Sequence, residues 1–218
     1  MNRRTRQRIA NLYDNFLQRS YVRGKLACDP VYAATAALVA GTDLPLLDIG
    51  CGIGLLGHCL YAQGHTQRYL GLDHDRRKIT AGRAALQRSG LDAMMELRCA
   101  DVAELPPTHG HVTLLDVLHY LAADRQLALL QTATGLLAPQ GCLIIRNVLR
   151  EKTWRFHATR VEEFFLHASG WIPGGPQHYP SVDELRVPLE NAGLDVRIRP
   201  LRGHTPFNSY LIVARPHH

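Results

Sequence analysis

The stretch Leu46-Leu47-Asp48-Ile49-Gly50-Cys51-Gly52-Ile53-Gly54-Leu55-Leu56-Gly57 decides the fold. Its apolar start, taken from Leu44 to Ile49, reads as a short buried strand. Gly50–Gly54 is a glycine-rich turn, and Leu55–Ala62 continues as a helix that stops at Gly64. A glycine turn between a strand and a helix lets a ligand approach the backbone closely, because no Cβ stands in the way. Two ligand chemistries fit the spacing. Gly52-x-Gly54-x-x-Gly57, with Asp73 about 20 residues further on, matches a dinucleotide-binding turn with its ribose-binding acid. Asp48, just before Gly50, argues the other way: a pyrophosphate has no use for negative charge there, whereas a cationic ligand does.

The flanking sequence alternates short apolar runs with helical patterns. Tyr69–Leu72, Met95–Cys99, Val112–Leu115 and Gly141–Val148 read as strands. Arg76–Arg88 (stopping before Gly90) and Arg125–Leu137 read as helices. This alternation predicts an α/β fold, a Rossmann-like, doubly wound and mainly parallel sheet covered by helices on both faces. Further on, Ser181-Val182-Asp183-Glu184 is a capping box opening a helix to Ala192-Gly193, with Pro188 expected to kink it. Val196–Arg199 and Tyr210–Ala214 close the chain as strands, the last one antiparallel, for a seven-stranded sheet. Residues 1–40 read as an N-terminal helical cap, with Asp29-Pro30 opening a helix through Ala40. Residues 150–180 form an aromatic insert carrying Trp154, Phe156, Phe164, Phe165, Trp171 and Tyr179. Neither a repeat nor a linker is visible, so residues 1–218 read as one domain.

Composition agrees. The chain has 218 residues, 46% hydrophobic and 20% charged, and a chain of that size buries roughly 70–75% of its unfolded surface. No apolar run reaches the roughly 18 residues that span a bilayer, which excludes a membrane span. Five cysteines without a CxxC pair suit reduced thiols and offer no metal site, and the basic start leads into no apolar signal core. A cytoplasmic protein is expected. Residues 1–25 hold seven basic side chains against Asp14, which accounts for the whole net charge of +6. Such a leader suits nucleic acid, an anionic surface or a solvated helix; with no second basic run, nucleic acid is not the expected partner.

Acids recur where later strands end: Asp73 after Tyr69–Leu72, Asp101 after Met95–Cys99, and Asp116 after Val112–Leu115. In an open α/β sheet these ends converge on one crevice. Together with Asp48-x-Gly50-x-Gly52-x-Gly54, this pattern resembles the class I S-adenosylmethionine-dependent methyltransferases, strongly over residues 40–148 and more loosely at the C-terminus. The resemblance implies S-adenosyl-L-methionine as cofactor, with Asp48, Gly50, Cys51, Gly52 and Gly54 around its adenosyl and methionine parts. Cys51 is then a small filler of the turn. Asp73, with His74 beside it, matches the acid that holds the ribose hydroxyls. Asp101 matches the acceptor for the adenine amino group, with Val102 donating through its backbone. Asp116–Tyr120 matches the segment lining the methyl-transfer site. Asp29–Tyr32, Asp116–Leu121 and Thr205–Pro216 also faintly resemble small-molecule methyltransferases of bacterial aryl-polyene pigment pathways.

Methyl transfer from a sulfonium is an in-line displacement in which the protein mainly aligns the acceptor. A base is needed when the acceptor must lose a proton. His119, next to Tyr120, is the first candidate to act as base or orient the acceptor, and His157 the second, with Arg146 and Asn147 nearby; packing on the cofactor is the plainer role for His119. The segment after the fourth strand lacks the Asn-Pro-Pro-aromatic signature of nitrogen methylation, and no Pro-Cys or Thr-Cys supplies a carbon-5 pyrimidine nucleophile. In small-molecule members of the family the region matching residues 150–180 builds an acceptor lid. The expectation is therefore methylation of a small aromatic or apolar metabolite, at oxygen, with Tyr13, Phe16 and Tyr21 closing over the cofactor and Arg23 or Lys25 meeting its carboxylate. RNA methylation, an NAD(P)-dependent oxidoreductase and a non-catalytic cofactor-binding module are the alternatives, and both monomer and homodimer remain open.

Overall fold

The sheet is built outward from β1 (Leu46–Ile49), which is buried at every position and lies parallel to β2 (Tyr69–Asp73) on one side and β4 (His111–Leu115) on the other. β3 (Met95–Cys99) extends the sheet beyond β2, and β5 (Leu143–Val148) beyond β4, both in parallel. β7 (Ser209–Pro216) pairs antiparallel with β5, and β6 (Leu194–Pro200) antiparallel with β7 at the outer edge. The order is β3-β2-β1-β4-β5-β7-β6. The chain thus winds away from β1 in one direction and then in the other. That reversal opens a crevice above the carboxyl ends of β1 and β4. The computed structural model describes residues 1–102, 109–151, 175–201 and 208–217.

Helices cover both faces because the central strands are buried on both. On one face α3 (Val31–Val39), α4 (Leu55–Tyr61) and α5 (Arg76–Ser89) bring Val39, Leu56, Leu60 and Ile79 against Leu46, Leu97 and Ile144. On the other, α6 (Ala123–Gly135) and α7 (Val182–Asn191) bring Leu130, Leu185 and Leu189 against Leu47, Val112 and Ile145. Truncating such a fully buried leucine to alanine costs about 2–5 kcal/mol. α1 (Arg3–Ala10) and α2 (Phe16–Cys28) make a third cluster, in which Tyr13, Val22 and Leu26 pack on Ile53, Cys59 and Ala85. Tyr13 also donates from its hydroxyl to the Ile53 carbonyl at 3.1 Å, so the cap is fastened to the glycine turn.

Local signals explain most element ends. Gly90, with φ +68°, closes α5 in the left-handed conformation that glycine adopts without strain. The Ser181–Glu184 capping box opens α7 with both reciprocal bonds present. Asp29 accepts the Val31 amide at 3.1 Å and so caps α3 from one position further back than a standard N-cap. Pro188 lies inside α7, where the Ala192 amide still reaches its carbonyl at 3.1 Å. Of the aromatic insert, residues 152–174 lie outside the described residues, and with them Trp154, Phe156, His157, Phe164, Phe165 and Trp171. No described helix is long and apolar enough to cross a membrane.

Candidate active site

The glycine turn stands at the mouth of the crevice. Gly50, Gly52 and Gly54 have φ of +77°, +60° and +76°. The Gly50 and Cys51 amides both donate to the Leu72 carbonyl, at 2.8 and 2.9 Å, which pins the turn to the end of β2. The three glycines are needed for different reasons. A Cβ on Gly50 would collide with the Val117 side chain, and one on Gly54 would meet Met95 and Leu97 at 2.8 and 2.9 Å. A Cβ on Gly52 would meet nothing within 4 Å. Gly52 therefore borders open space that a side chain would occupy.

Asp73 frames that space. Its Oδ2 accepts the Gly52 amide and its Oδ1 the Asp75 amide, each at 2.8 Å. Each oxygen keeps a further lone pair for a hydroxyl donor. The N-cap of α5 is Asp75 rather than Asp73. His74 lies beside Asp73, its Nδ1 3.8 Å from Oδ1, and its side chain is exposed. Asp101 follows β3 as an exposed residue, and Val102 is half-buried against the core. Cys51 is buried, and burial pushes its thiol far up, which disfavours the thiolate form.

Asp48 is engaged inside the sheet. It is 2% exposed; Tyr69 donates to its Oδ2 at 2.5 Å and Thr113 to its Oδ1 at 2.7 Å. Burial pushes its carboxyl up to about 6, against the downward pull of those two hydroxyls.

At the ends of β4 and β5 four charges meet. Arg146 pairs with Asp116 and, at 3.1 Å, with Asp29; Lys25 lies 3.2 Å from Asp29 and 3.7 Å from Asp116. Lys25 is thus committed within the protein, while Arg23 is exposed. Burial alone would raise the Asp116 carboxyl, but Arg146 and Lys25 outweigh it and hold it low. Asp116 is, among the described residues, the one non-glycine with positive φ, at +61°. A backbone held in that region costs of order 1–3 kcal/mol and is characteristic of functional sites. Its amide also donates to the Arg146 carbonyl at 2.9 Å.

His119 sits in a short 3-10 turn, Leu118–Tyr120, just past Asp116 and Val117, and is 2% exposed. Its Nδ1 is 2.9 Å from Asn147 Oδ1. The Tyr120 ring lies 4.1 Å away, and the Tyr179 ring runs parallel to the imidazole at 6.1 Å. Gly50, Gly52, Gly54 and Asp73 thus form one group; Asp116 and His119 form a second, joined to it where Val117 covers Gly50. Sequence reasoning missed the ion pair of Asp29 with Arg146, the bonds of Tyr69 and Thr113 to Asp48, and Glu151, which accepts from Tyr210 at 2.6 Å and from Asn208 at 3.2 Å. One signal was present: Arg146 stands in a strand buried at all six positions, where a charge must find a partner.

Residues 47–143 match the family model of a methyltransferase domain. The chain is 26% identical over 189 residues to a ubiquinone biosynthesis O-methyltransferase of Rhodopseudomonas palustris (strain BisB5), covering 84% of this chain and 70% of that protein. An O-methyltransferase family protein from Burkholderia thailandensis superimposes with a TM-score of 0.71 at 19% identity, over 96% of this chain and 61% of that one. Magnesium protoporphyrin IX methyltransferase from Synechocystis PCC 6803, solved with bound SAH, superimposes with a TM-score of 0.67 at 21% identity, over 94% of this chain and 88% of that one. The open space at Gly52, with the Asp73 carboxylate at its margin, fits a ligand that offers hydroxyl donors beside a glycine-lined backbone. Strand order, glycine turn and the match over residues 47–143 agree: they support a class I methyltransferase domain with S-adenosylmethionine as its cofactor.

Proposed function

We propose that the protein methylates an oxygen of a small aromatic or apolar molecule. The observation that carries the reading is His119, a buried imidazole held by Asn147 at the carboxyl end of β4 with two tyrosine rings against it. The O-methyltransferase names of the sequence relative and of a structural neighbour support it. The cofactor supplies a methyl group on sulfur that is already activated for displacement. The Asp73 carboxylate would hold both ribose hydroxyls, with His74 beside it, and Gly50, Cys51, Gly52 and Gly54 would hold the adenosyl and methionine parts. Asp101 takes the adenine amino group and Val102 meets the ring through its backbone. Asp116 fixes the segment that leads to His119. Asp48 acts from within the sheet by holding β1, β2 and β4 in place below the turn.

Residues 1–40 serve as a cap that keeps water away from the reacting atoms. His119 takes the acceptor's proton as the oxygen attacks, and Tyr120 orients the acceptor. A base placed this way contributes typically about 10²–10⁴-fold. The test is methyl transfer from radiolabelled cofactor to a panel of phenols and catechols. Turnover in wild type and a loss of at least about 10²-fold in His119→Ala are expected. Transfer to RNA but to no phenol, or tight binding of NADH in place of S-adenosylhomocysteine in a titration calorimeter, overturns the assignment.

A further inference from the structure

α1 and α2 carry a surface outside the methyl-transfer site. α1 is basic at Arg3, Arg4 and Arg8, all exposed, while Ile9 and Ala10 pack into the third core cluster. Positions four apart on a helix are neighbours, so Arg4 stands beside Arg8 and Arg3 beside Gln7. These four side chains, with Asn11 and Leu12, line one open recess that contains no acid. Asp14 is the one acid of residues 1–25, and Arg88 pairs with it at 2.6 Å. Just beyond, at the start of α2, Phe16 and Leu17 are 75% and 69% exposed, the two most exposed large hydrophobic side chains among the described residues. Tyr13, Val22 and Leu26 already fill the core side of this hairpin.

The patch lies away from the crevice. The crevice end of α2 is marked by Lys25, 3.7 Å from Asp116. Phe16 stands nine residues earlier, about 14 Å along the axis at 1.5 Å per residue. Arg88, which donates to the Leu12 carbonyl, is in the last turn of α5, whereas Asp73 stands before the first turn of that helix. Phe16, expected to close over the cofactor, therefore belongs to the outer surface.

We propose that the α1–α2 hairpin docks on an anionic bilayer surface, with its arginines at the lipid phosphates and Phe16 and Leu17 at the acyl boundary. Charge selects the partner: residues 1–25 carry the whole net charge of +6, so an acidic surface is attracted and a second copy of the same hairpin is repelled. The exposed pair selects among acidic surfaces. Arginines beside a Phe-Leu pair suit the headgroup and acyl layers of a bilayer together, whereas a polynucleotide takes stacking faces, which Leu17 lacks. None of these residues belongs to the methyl-transfer site, so docking stands or falls apart from the proposed reaction.

The test is co-sedimentation of the full chain with vesicles, either of phosphatidylcholine alone or of phosphatidylcholine and phosphatidylglycerol in equal parts. Binding to the mixed vesicles is expected to be at least about tenfold tighter than to phosphatidylcholine alone, and to weaken as salt rises. Arg3→Gln/Arg4→Gln/Arg8→Gln and Phe16→Ser/Leu17→Ser are each expected to lose at least about tenfold of this binding, with the fold intact by circular dichroism. No preference for the mixed vesicles overturns the proposal. So does unchanged binding in Phe16→Ser/Leu17→Ser, which reduces the patch to loose counter-charge. An RNA oligonucleotide bound in preference to the mixed vesicles also overturns it, in favour of a polynucleotide. If either variant does not fold, hydrogen exchange of the wild type decides: slower exchange over residues 1–23 on mixed vesicles supports docking there, and no slowing in that segment overturns it.

Discussion

The Gly52 amide donates to Asp73 Oδ2 at 2.8 Å, so the end of β2 and the open position of the glycine turn hold each other in place. The same carboxylate is positioned to grip hydroxyls, and charge-assisted hydrogen bonds contribute about 1.5–3 kcal/mol each. Asp73→Ala is expected to weaken S-adenosylhomocysteine binding by at least about 10²-fold, measured by calorimetry. Asp73→Asn keeps one acceptor and is expected to fall between wild type and Asp73→Ala in both affinity and melting temperature. Wild-type affinity in Asp73→Ala refutes the assignment.

The glycines of the turn separate packing from ligand access. An alanine at either Gly52 or Gly54 pays the left-handed backbone penalty of roughly 1–2 kcal/mol. Only at Gly54 does the new methyl also press on Met95 and Leu97. Gly54→Ala is therefore expected to lose more melting temperature, and Gly52→Ala to lose more cofactor affinity for each degree lost. Thermal unfolding and calorimetry on the two variants check the ordering, and the reverse order refutes it.

Asp48 sets a pH dependence of known sign. Its carboxyl is raised in the fold to about 6 from an ordinary value of 3.8, chiefly by burial. The folded protein holds this proton more tightly than the unfolded chain does. The stability so gained is complete below the unfolded value and is lost as pH rises toward about 6, beyond which the loss is constant. Asp48→Asn can still bond Tyr69 and Thr113 and carries no charge. It is expected to flatten this contribution between about pH 4 and 6 and to raise the melting temperature at pH 7 to 8. A variant whose melting temperature keeps the wild-type slope in that window rules Asp48 out as its source.

The architecture was legible because period-2 and period-3.6 patterns are local: Met95–Cys99 is the same strand in sequence and in structure, and the other central strands shift by at most two residues at either end. The acids at the strand ends were legible for the same reason. Long-range partnerships were not. That Gly50 makes room for Val117 while Gly52 borders open space depends on a segment from the far side of β4. Asp48 reads in sequence as a charge aimed at a ligand, and only Tyr69 and Thr113, one on each flanking strand, explain where its two oxygens go. Asp29 reads as a helix cap, which it is through Val31, but its other oxygen belongs to Arg146.

That last contact has a bearing on how the molecule is made. Lys25 and Asp29 leave the ribosome long before Arg146 exists, and chains emerge N-terminus first at about 5–20 residues per second. Early helices can form and pair Lys25 with Asp29 on their own, but their final seat is supplied by residues translated later. Nascent chains stalled ahead of β5 should accordingly be cut by protease at the exposed Phe16–Leu17 pair faster than chains stalled after it.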